Sequence, residues 1–251
     1  MSQPLDELPH AAGSEPAAKS FLSRVTGTFF APDETFLDIA RKPDLLAPLT
    51  LLVLTWIPAS IMIGLRVDFA GPIRAEMESR GGMSAEQMEQ AMRIGGAFSK
   101  AIAFFAPLAS MVALLIISGI FLFAFRLFGG EGRYRQALSL TAYSWLPMSL
   151  ASILSAIVLA TRTGVTPQEL ATVLKSNPAF LVDLEAQPVL FGLLSSLDVF
   201  VIWTLALMSI GYAHMSRFSK TKSATIVFGL WLSWILVKTG GSALLAGIKQ
   251  R

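Results

Sequence analysis

Five long stretches of apolar residues constrain the fold of this chain more than any other feature. A helix needs about 20 mostly apolar residues to cross a hydrocarbon core roughly 30 Å thick, and each stretch reaches that length. Their approximate bounds are 45–65, 101–128, 137–160, 189–213 and 224–247. Only 15% of the 251 residues are charged, against roughly 25% in an average soluble protein. The sequence therefore predicts an all-α fold, a polytopic transmembrane helix bundle with five spans.

The region before the first span divides into a tail and a short helix. Residues 1–24 are rich in proline and acids and have no apolar core, so we predict a disordered polar tail rather than a signal peptide. The membrane domain then covers 25–251. Within it, Phe29 to Ile39 is predicted to form a short amphipathic helix that starts at Pro32, with acids in its first turn. Two placements stay open, one on the membrane surface and one packed on the bundle.

The first connection is the longest and carries a helix start of its own. Ser84 and Gln87 have the spacing of a capping box, in which each side chain bonds the other residue's backbone N–H. We expect the helix that begins there to continue into the second span.

Basic residues in the short loops predict the orientation of the chain. The second and fourth connections carry mostly lysine and arginine, whereas the third carries more acids than bases. Positive charges in short loops near the membrane face the cytoplasm, which places the N-terminus inside and the C-terminus outside. The basic residues that decide this are Arg126, Arg133, Arg135, Arg217, Lys220 and Lys222.

The residues that most often carry chemistry are scarce. Cysteine is absent, and the two histidines are His10 in the tail and His214 at a span end. Two isolated histidines do not form a metal site or a catalytic dyad, so we predict no enzyme activity and no cofactor or metal. The basic residues form no contiguous face of the kind that binds nucleic acid, so no nucleic-acid partner is expected.

Two charged residues fall well inside predicted spans. Asp198 lies in the fourth and Lys238 in the fifth, each about nine residues from the outer end, or about 13 Å deep at 1.5 Å per residue. Charges at that depth are costly unless they are paired or hydrated. The fourth and fifth spans are expected to form an antiparallel hairpin, which places both residues at equal depth, so we predict an Asp198–Lys238 ion pair. The pair is either a structural salt bridge or a site that binds a coupling ion or proton.

Two local patterns resemble a known family. The segment Pro43-Asp44-Leu45-Leu46-Ala47-Pro48 precedes the first span, and Ala142-Tyr143-Ser144-Trp145-Leu146-Pro147 lies in the third. They are similar to the Asp-Leu-Tyr-Gly-Pro and Gly-Tyr-x-Leu-x-Pro motifs of the Ypt/Rab-interacting (YIP) membrane proteins. The matching positions are Asp44, Leu45, Pro48, Tyr143 and Pro147, whereas Leu46, Ala47 and Ala142 depart from the motifs. The long first loop and the Pro-rich tail look more like the prokaryotic branch.

The resemblance implies a non-enzymatic membrane protein that organises the membrane or binds something in it. The expected partners are membrane lipids, a membrane protein or a second copy, and a Rab-type GTPase only in a eukaryote. In a bacterium the protein would lie in the inner membrane. The alternative hypothesis is a small transporter or channel-like subunit that uses the Asp198–Lys238 pair.

Overall fold

The structure is a computed structural model that describes residues 18–72, 74, 75, 84–184 and 186–249, with the backbone alone from residue 242 onward. This part of the chain folds into α-helices joined by turns. In chain order they are α1 (Phe21–Phe30), α2 (Pro32–Arg41), α3 (Leu46–Arg66), α4 (Ala85–Leu127), α5 (Tyr134–Ser144), α6 (Leu146–Ala160), α7 (Pro188–Ser196), α8 (Val199–Ser216) and α9 (Lys220–Lys249). Two short 3-10 helices, Glu169–Thr172 and Pro178–Leu181, lie between α6 and α7.

Five helical segments are long and apolar enough to cross a membrane. Their bounds are Leu46–Arg66, Ala85–Leu127, Tyr134–Ala160, Val199–Ser216 and Lys220–Gly241. Large apolar side chains cover the outside of the bundle: Phe104 is 75% exposed and Phe123 is 69% exposed. An exposed apolar surface of this kind marks a membrane protein. The predicted all-α bundle with five spans is confirmed.

The N-terminal region is more ordered than the sequence suggested. Helix α1 begins at Phe21, where the Ser20 side chain accepts a hydrogen bond from the Ser23 N–H, so the predicted tail boundary at residue 24 is wrong. Residues 1–17 lie outside the described part. Helix α2 begins at Pro32 as predicted. Its Phe36 and Ile39 side chains are fully buried in the core, so α2 packs on the bundle.

The predicted capping box at the start of α4 is confirmed. Ser84 and Gln87 bond each other's backbone N–H, and the helix continues for 43 residues into the second span. At 1.5 Å per residue it is about 65 Å long. Pro107 lies inside it and cannot donate to the carbonyl of Ala103 four residues earlier. The Ser60 hydroxyl of α3 lies 3.3 Å from that carbonyl and shares its one proton between it and the Ile57 oxygen at 2.9 Å.

The third span is built from two helices, and the stretch predicted as the fourth span is divided between α7 and the spanning helix α8. The third is interrupted at Trp145, directly before Leu146 and Pro147, because a proline inside a helix removes a hydrogen bond and clashes with the preceding turn. The fourth, predicted to be continuous over 189–213, is interrupted between α7 and α8. Asp198 has an extended backbone there and accepts hydrogen bonds from the next turn, so it is a helix N-cap.

The larger of two apolar clusters in the described part of the chain lies between the spans, and a smaller one lies at Val67, Leu159, Val165 and Val173. The larger cluster is formed by fully buried side chains of α3, α4, α5 and α8, among them Leu52, Leu114, Leu140 and Met208. Tyr212 lies among them, its hydroxyl 2.9 Å from that of Thr141, which satisfies two buried polar groups at once. These contacts fix how the spans meet.

The loops gather at two ends of the bundle. We call the first the N-terminal end; it consists of α1, α2 and the turns at 128–133 and 217–219. Lys220 bridges to Asp33 at 2.7 Å and Arg217 to Glu131 at 3.3 Å, which joins these segments. At the other end, here called the opposite end, Val67 and Val165 form an isolated β-bridge.

Candidate functional site

The site that the structure builds at the N-terminal end is centred on Arg24 of α1. Phe21, Val25 and Phe29 recur every four residues and pack against the core, which turns the same side of the helix inward. Arg24 is only 3% exposed as a result. A buried guanidinium needs partners for its charge and its donors, and α2 and the start of α3 supply them.

Arg24 joins three segments of the chain. Its Nε donates to Asp38 Oδ2 of α2 at 2.9 Å, and one terminal nitrogen donates to the backbone oxygen of Lys42 at 2.9 Å. The other terminal nitrogen donates to the Asp44 carboxylate. The planar fork of arginine suits several acceptors at once. Arg24 therefore fixes α1 and α2 to the point where the chain enters the first span.

Asp44 also holds the third span. The Tyr143 hydroxyl donates to Asp44 Oδ2 at 2.8 Å, and the Ser139 hydroxyl donates to the Asp44 backbone oxygen at 2.7 Å. Asp44 and Tyr143 are 99 positions apart in the chain. The structure thus brings together the two segments that carry the family resemblance. We call Arg24, Asp38, Asp44 and Tyr143 the Arg24 cluster.

The charges of the Arg24 cluster favour the ionised state. Burial opposes the charge on Arg24, but the nearby Asp44 and Asp38 carboxylates outweigh it and raise the pKa of the guanidinium. The arginine and the two acids carry a formal charge of −1 together, and the tyrosine hydroxyl stabilises Asp44 as a neutral donor. Every described contact within the cluster joins one segment of the protein to another.

The remaining motif positions lie at helix starts. Leu45 is the N-cap of α3 and Pro48 lies buried in its first turn, where a missing N–H costs little. Pro147 is buried near the start of α6. The break at Trp145 falls between Tyr143 and Pro147, so these two motif positions belong to different helices.

Sequence reasoning missed Arg24, which it placed in the tail. The available signal was the spacing of Phe21, Val25 and Phe29, which has a helical period and begins before residue 25. The contacts of Arg24 with Asp38 and Asp44 are fixed only by the folding of α1 back onto α2, which the spacing does not reveal.

Asp198 lies between α7 and α8 and caps the start of α8. Its Oδ1 accepts from the Phe200 N–H at 2.8 Å and the Val201 N–H at 3.4 Å. Its Oδ2 accepts from the Ser176 hydroxyl and from Asn177 Nδ2, the latter at 3.4 Å. The connection between α6 and α7 therefore folds back onto the start of α8. Ser176 and Asn177 were not identified from the sequence.

Lys238 lies on an exposed position of α9. Helix α9 packs against both α7 and α8, as expected for an antiparallel hairpin. The described contacts of Asp198 are those that cap α8, and its ion pair with Lys238 stays a prediction.

Asp33, at the start of α2, pairs with one side chain from each of the last two spans. Its Oδ1 lies 2.7 Å from Lys220 Nζ and 2.9 Å from His214 Nε2. Hydrogen bonds from Lys220 and His214 lower the pKa of this carboxyl below its ordinary value. This contact ties α2 to both α8 and α9.

Comparison with known proteins agrees with the motifs that meet in the cluster. Residues 26–239 match the family model of the Yip1 domain. The chain is also similar to the membrane protein YknW of Bacillus subtilis, at 27% identity over 209 residues, which covers 81% of this chain and 84% of the relative. No solved structure matches the chain significantly.

Proposed function

Because this chain belongs to the Yip1 family of membrane proteins, we propose that it acts without catalysis, by binding a membrane protein or phospholipid and so organising its membrane. The observation that carries this proposal is that the family-motif residues hold separate segments of the protein together. Asp44 and Tyr143 bind each other and Arg24 across three segments, which is the arrangement of a structural support. A reactive site would instead present such groups to a substrate.

The support lies under a surface that is suited to binding. Helices α1 and α2 are attached to the membrane bundle by the Arg24 cluster and by Asp33, yet they contain large exposed side chains such as Leu22 (72%) and Phe30 (88%). Exposed apolar groups on a well-anchored element are typical of a contact surface for lipid or protein.

The orientation of the bundle is part of the proposal. Arg133 and Arg217 of the turns at 128–133 and 217–219 lie at the N-terminal end together with α1, α2 and the lysines that begin α9. The positive-inside rule supports a cytoplasmic position for this end. The similarity to a bacterial protein supports the cell membrane of a bacterium as its location. A Rab-type GTPase, a eukaryotic partner, then has no place in the proposal.

Transport through Asp198 and Lys238 is less well supported. The carboxylate of Asp198 already accepts from two backbone N–H groups and from the side chains of Ser176 and Asn177. These bonds are those of a helix cap, and they occupy the carboxylate at the start of α8.

Quantitative co-purification tests the proposal. The tagged full chain would be solubilised from native membranes in a mild detergent, and the bound proteins and phospholipids would be measured by mass spectrometry. We expect a defined membrane protein or phospholipid class at a constant ratio to the chain. A chain that retains neither, and that moves ions across liposomes in a way that depends on Asp198, would overturn the proposal in favour of transport.

A further inference from the structure

A groove of about 500 Å³ runs along the outside of the bundle at the N-terminal end. Its wall is one face of α9, from Lys222 through Ile226 and Leu230 to Ser233. Phe128, at the end of α4, also lines it. The face is mostly apolar with a charged group at one end. Both helices belong to membrane spans, so the groove opens toward lipid.

The groove is as long as one leaflet of a bilayer is thick. Lys222 and Ser233 are eleven residues apart on α9, which is about 16 Å at 1.5 Å per residue. The hydrocarbon core measures about 30 Å, so half of it is about 15 Å. A single acyl chain that starts at the membrane surface therefore fills the groove from end to end.

Gly229 creates the space in the middle of the groove. A Cβ atom built on it meets no other atom within 4 Å, so the absence of a side chain, rather than close packing, is what this position provides. Glycine inside a helix is unfavourable relative to alanine. The open position leaves room for a chain from outside the protein.

The charged end of the groove fits an anionic group. Lys222 Nζ donates to the Phe128 backbone oxygen at 3.2 Å and lies 3.5 Å from the centre of the Phe218 ring. These contacts hold the ammonium at the end of the groove, and its three N–H donors exceed the single hydrogen bond described. Arg217, which lies in the turn before α9, already pairs with Glu131 at 3.3 Å, so Lys222 is the cation of the groove itself.

From the length, the apolar wall and the fixed ammonium we infer that the groove binds one acyl chain of an anionic phospholipid, with the headgroup phosphate on Lys222. The inference rests on the proposed binding function and names its ligand class and site. The phospholipid comes from the leaflet at the N-terminal end. Lipid of this charge is attracted to basic groups next to a membrane span.

Native mass spectrometry of the purified full chain tests the inference, with palmitoyl-oleoyl phosphatidylglycerol as probe and the phosphatidylcholine of the same chains as its neutral counterpart. Gly229→Leu puts a side chain into the groove at a position where the added Cβ has room, and we expect it to abolish retention of both lipids. Lys222→Gln should remove only the preference for the anionic lipid, a loss of about fivefold for one basic residue.

Two variants serve as matched controls. Gly240→Leu adds the same side chain to α9 at another glycine whose Cβ would meet nothing within 4 Å, outside the groove. Arg135→Gln removes an exposed positive charge from the same end. Both should bind the two lipids as the unchanged protein does.

The outcomes separate the groove from the wider proposal. If the protein prefers phosphatidylglycerol but Gly229→Leu and Lys222→Gln keep that preference, the groove is not the site, and the proposed binding function stands. If Gly229→Leu instead converts a dimer to a monomer at constant lipid binding, the groove is a contact between copies and the inference is wrong. A protein that retains neither lipid nor protein partner overturns both proposals.

Discussion

At the scale of single residues, the attachment of the N-terminal helices depends on Arg24. Its partners lie 14 to 20 residues away in the chain, and one of them, Asp44, is bound in turn by Tyr143 from the third span. Local sequence patterns predict helices but not which distant polar groups meet. Family motifs marked Asp44 and Tyr143, whereas nothing in the spacing of residues marked Arg24 as their partner.

Replacement of Arg24 tests how much this attachment stabilises the fold. Arg24→Gln should lower the free energy of unfolding by about 2 kcal/mol, because it leaves two carboxylates without their counter-charge. The loss is smaller than for a fully buried pair because the Asp44 side chain is 35% exposed. Tryptophan fluorescence during denaturation in detergent micelles measures it.

The matched control is Arg217→Gln, which removes an arginine that is 78% exposed from the same end of the bundle. Surface ion pairs contribute at most about 1 kcal/mol, so this change should be nearly neutral. Equal losses for the two variants would contradict the role assigned to Arg24.

At the scale of helices, the apolar pattern predicted the spans but not the interruptions within them. A stretch such as 189–213 has the composition of one helix, since hydropathy averages over the break at Asp198. The sequence showed an acid in an apolar segment, and the pairing rule for buried charge suggested Lys238 as its partner. A helix N-cap explains the same acid by local bonds, because carboxylates accept from the first N–H groups of a helix.

Two substitutions at Asp198 distinguish a cap from an ion pair. Asparagine caps helices as well as aspartate does, so Asp198→Asn keeps the cap and loses only the acceptor that faces Ser176 and Asn177; it should therefore cost less stability than alanine. Asp198→Ala should cost about 1 kcal/mol, the usual effect of losing a cap. Thermal unfolding in micelles measures both. If asparagine is as harmful as alanine, and Lys238→Ala matches them, the negative charge itself is required and the ion pair is supported.

The contact between α2 and the last two spans should depend on pH. Because hydrogen bonds from Lys220 and His214 lower the pKa of Asp33, the folded protein favours the carboxylate. The unfolded chain binds this proton at a higher pH, so the stabilisation is complete above the ordinary carboxyl pKa of about 4. It is lost as the pH falls through the lowered value.

Asp33→Asn removes the titrating group and provides the comparison. The unchanged protein should be the more stable of the two at pH 7, and the difference should shrink below pH 4 or so. Unfolding midpoints across this range measure it. A difference that is constant with pH would show that the charge on Asp33 does not stabilise the folded state.

At the scale of the whole molecule, five spans were predictable because the requirement for apolar length acts on every residue of a transmembrane helix. The structure also groups the turns at 128–133 and 217–219, which carry Arg133 and Arg217, with α1 and α2. Composition could not show how the connection between α6 and α7 folds onto Asp198, because that depends on side-chain contacts with Ser176 and Asn177.

Single cysteines test the proposed orientation without background, since the chain contains none of its own. Arg135→Cys marks the N-terminal end and Thr163→Cys the opposite end, and both positions are exposed. In intact cells a membrane-impermeant maleimide should label Thr163→Cys alone, and Arg135→Cys should react only after permeabilisation. The reverse pattern would show that the N-terminal end faces outward.

The length of α4 has a mechanical consequence. The part of the helix before Pro107 spans 22 residues, or about 33 Å, so a bend of about 10° at the proline moves the far end by roughly 6 Å. At Pro107 the helix lacks one backbone hydrogen bond. The Ser60 hydroxyl of α3 lies 3.3 Å from the Ala103 carbonyl that the proline leaves without its donor. A force on the part of α4 before Pro107 is therefore transmitted to α3, the helix whose start is fixed by Asp44.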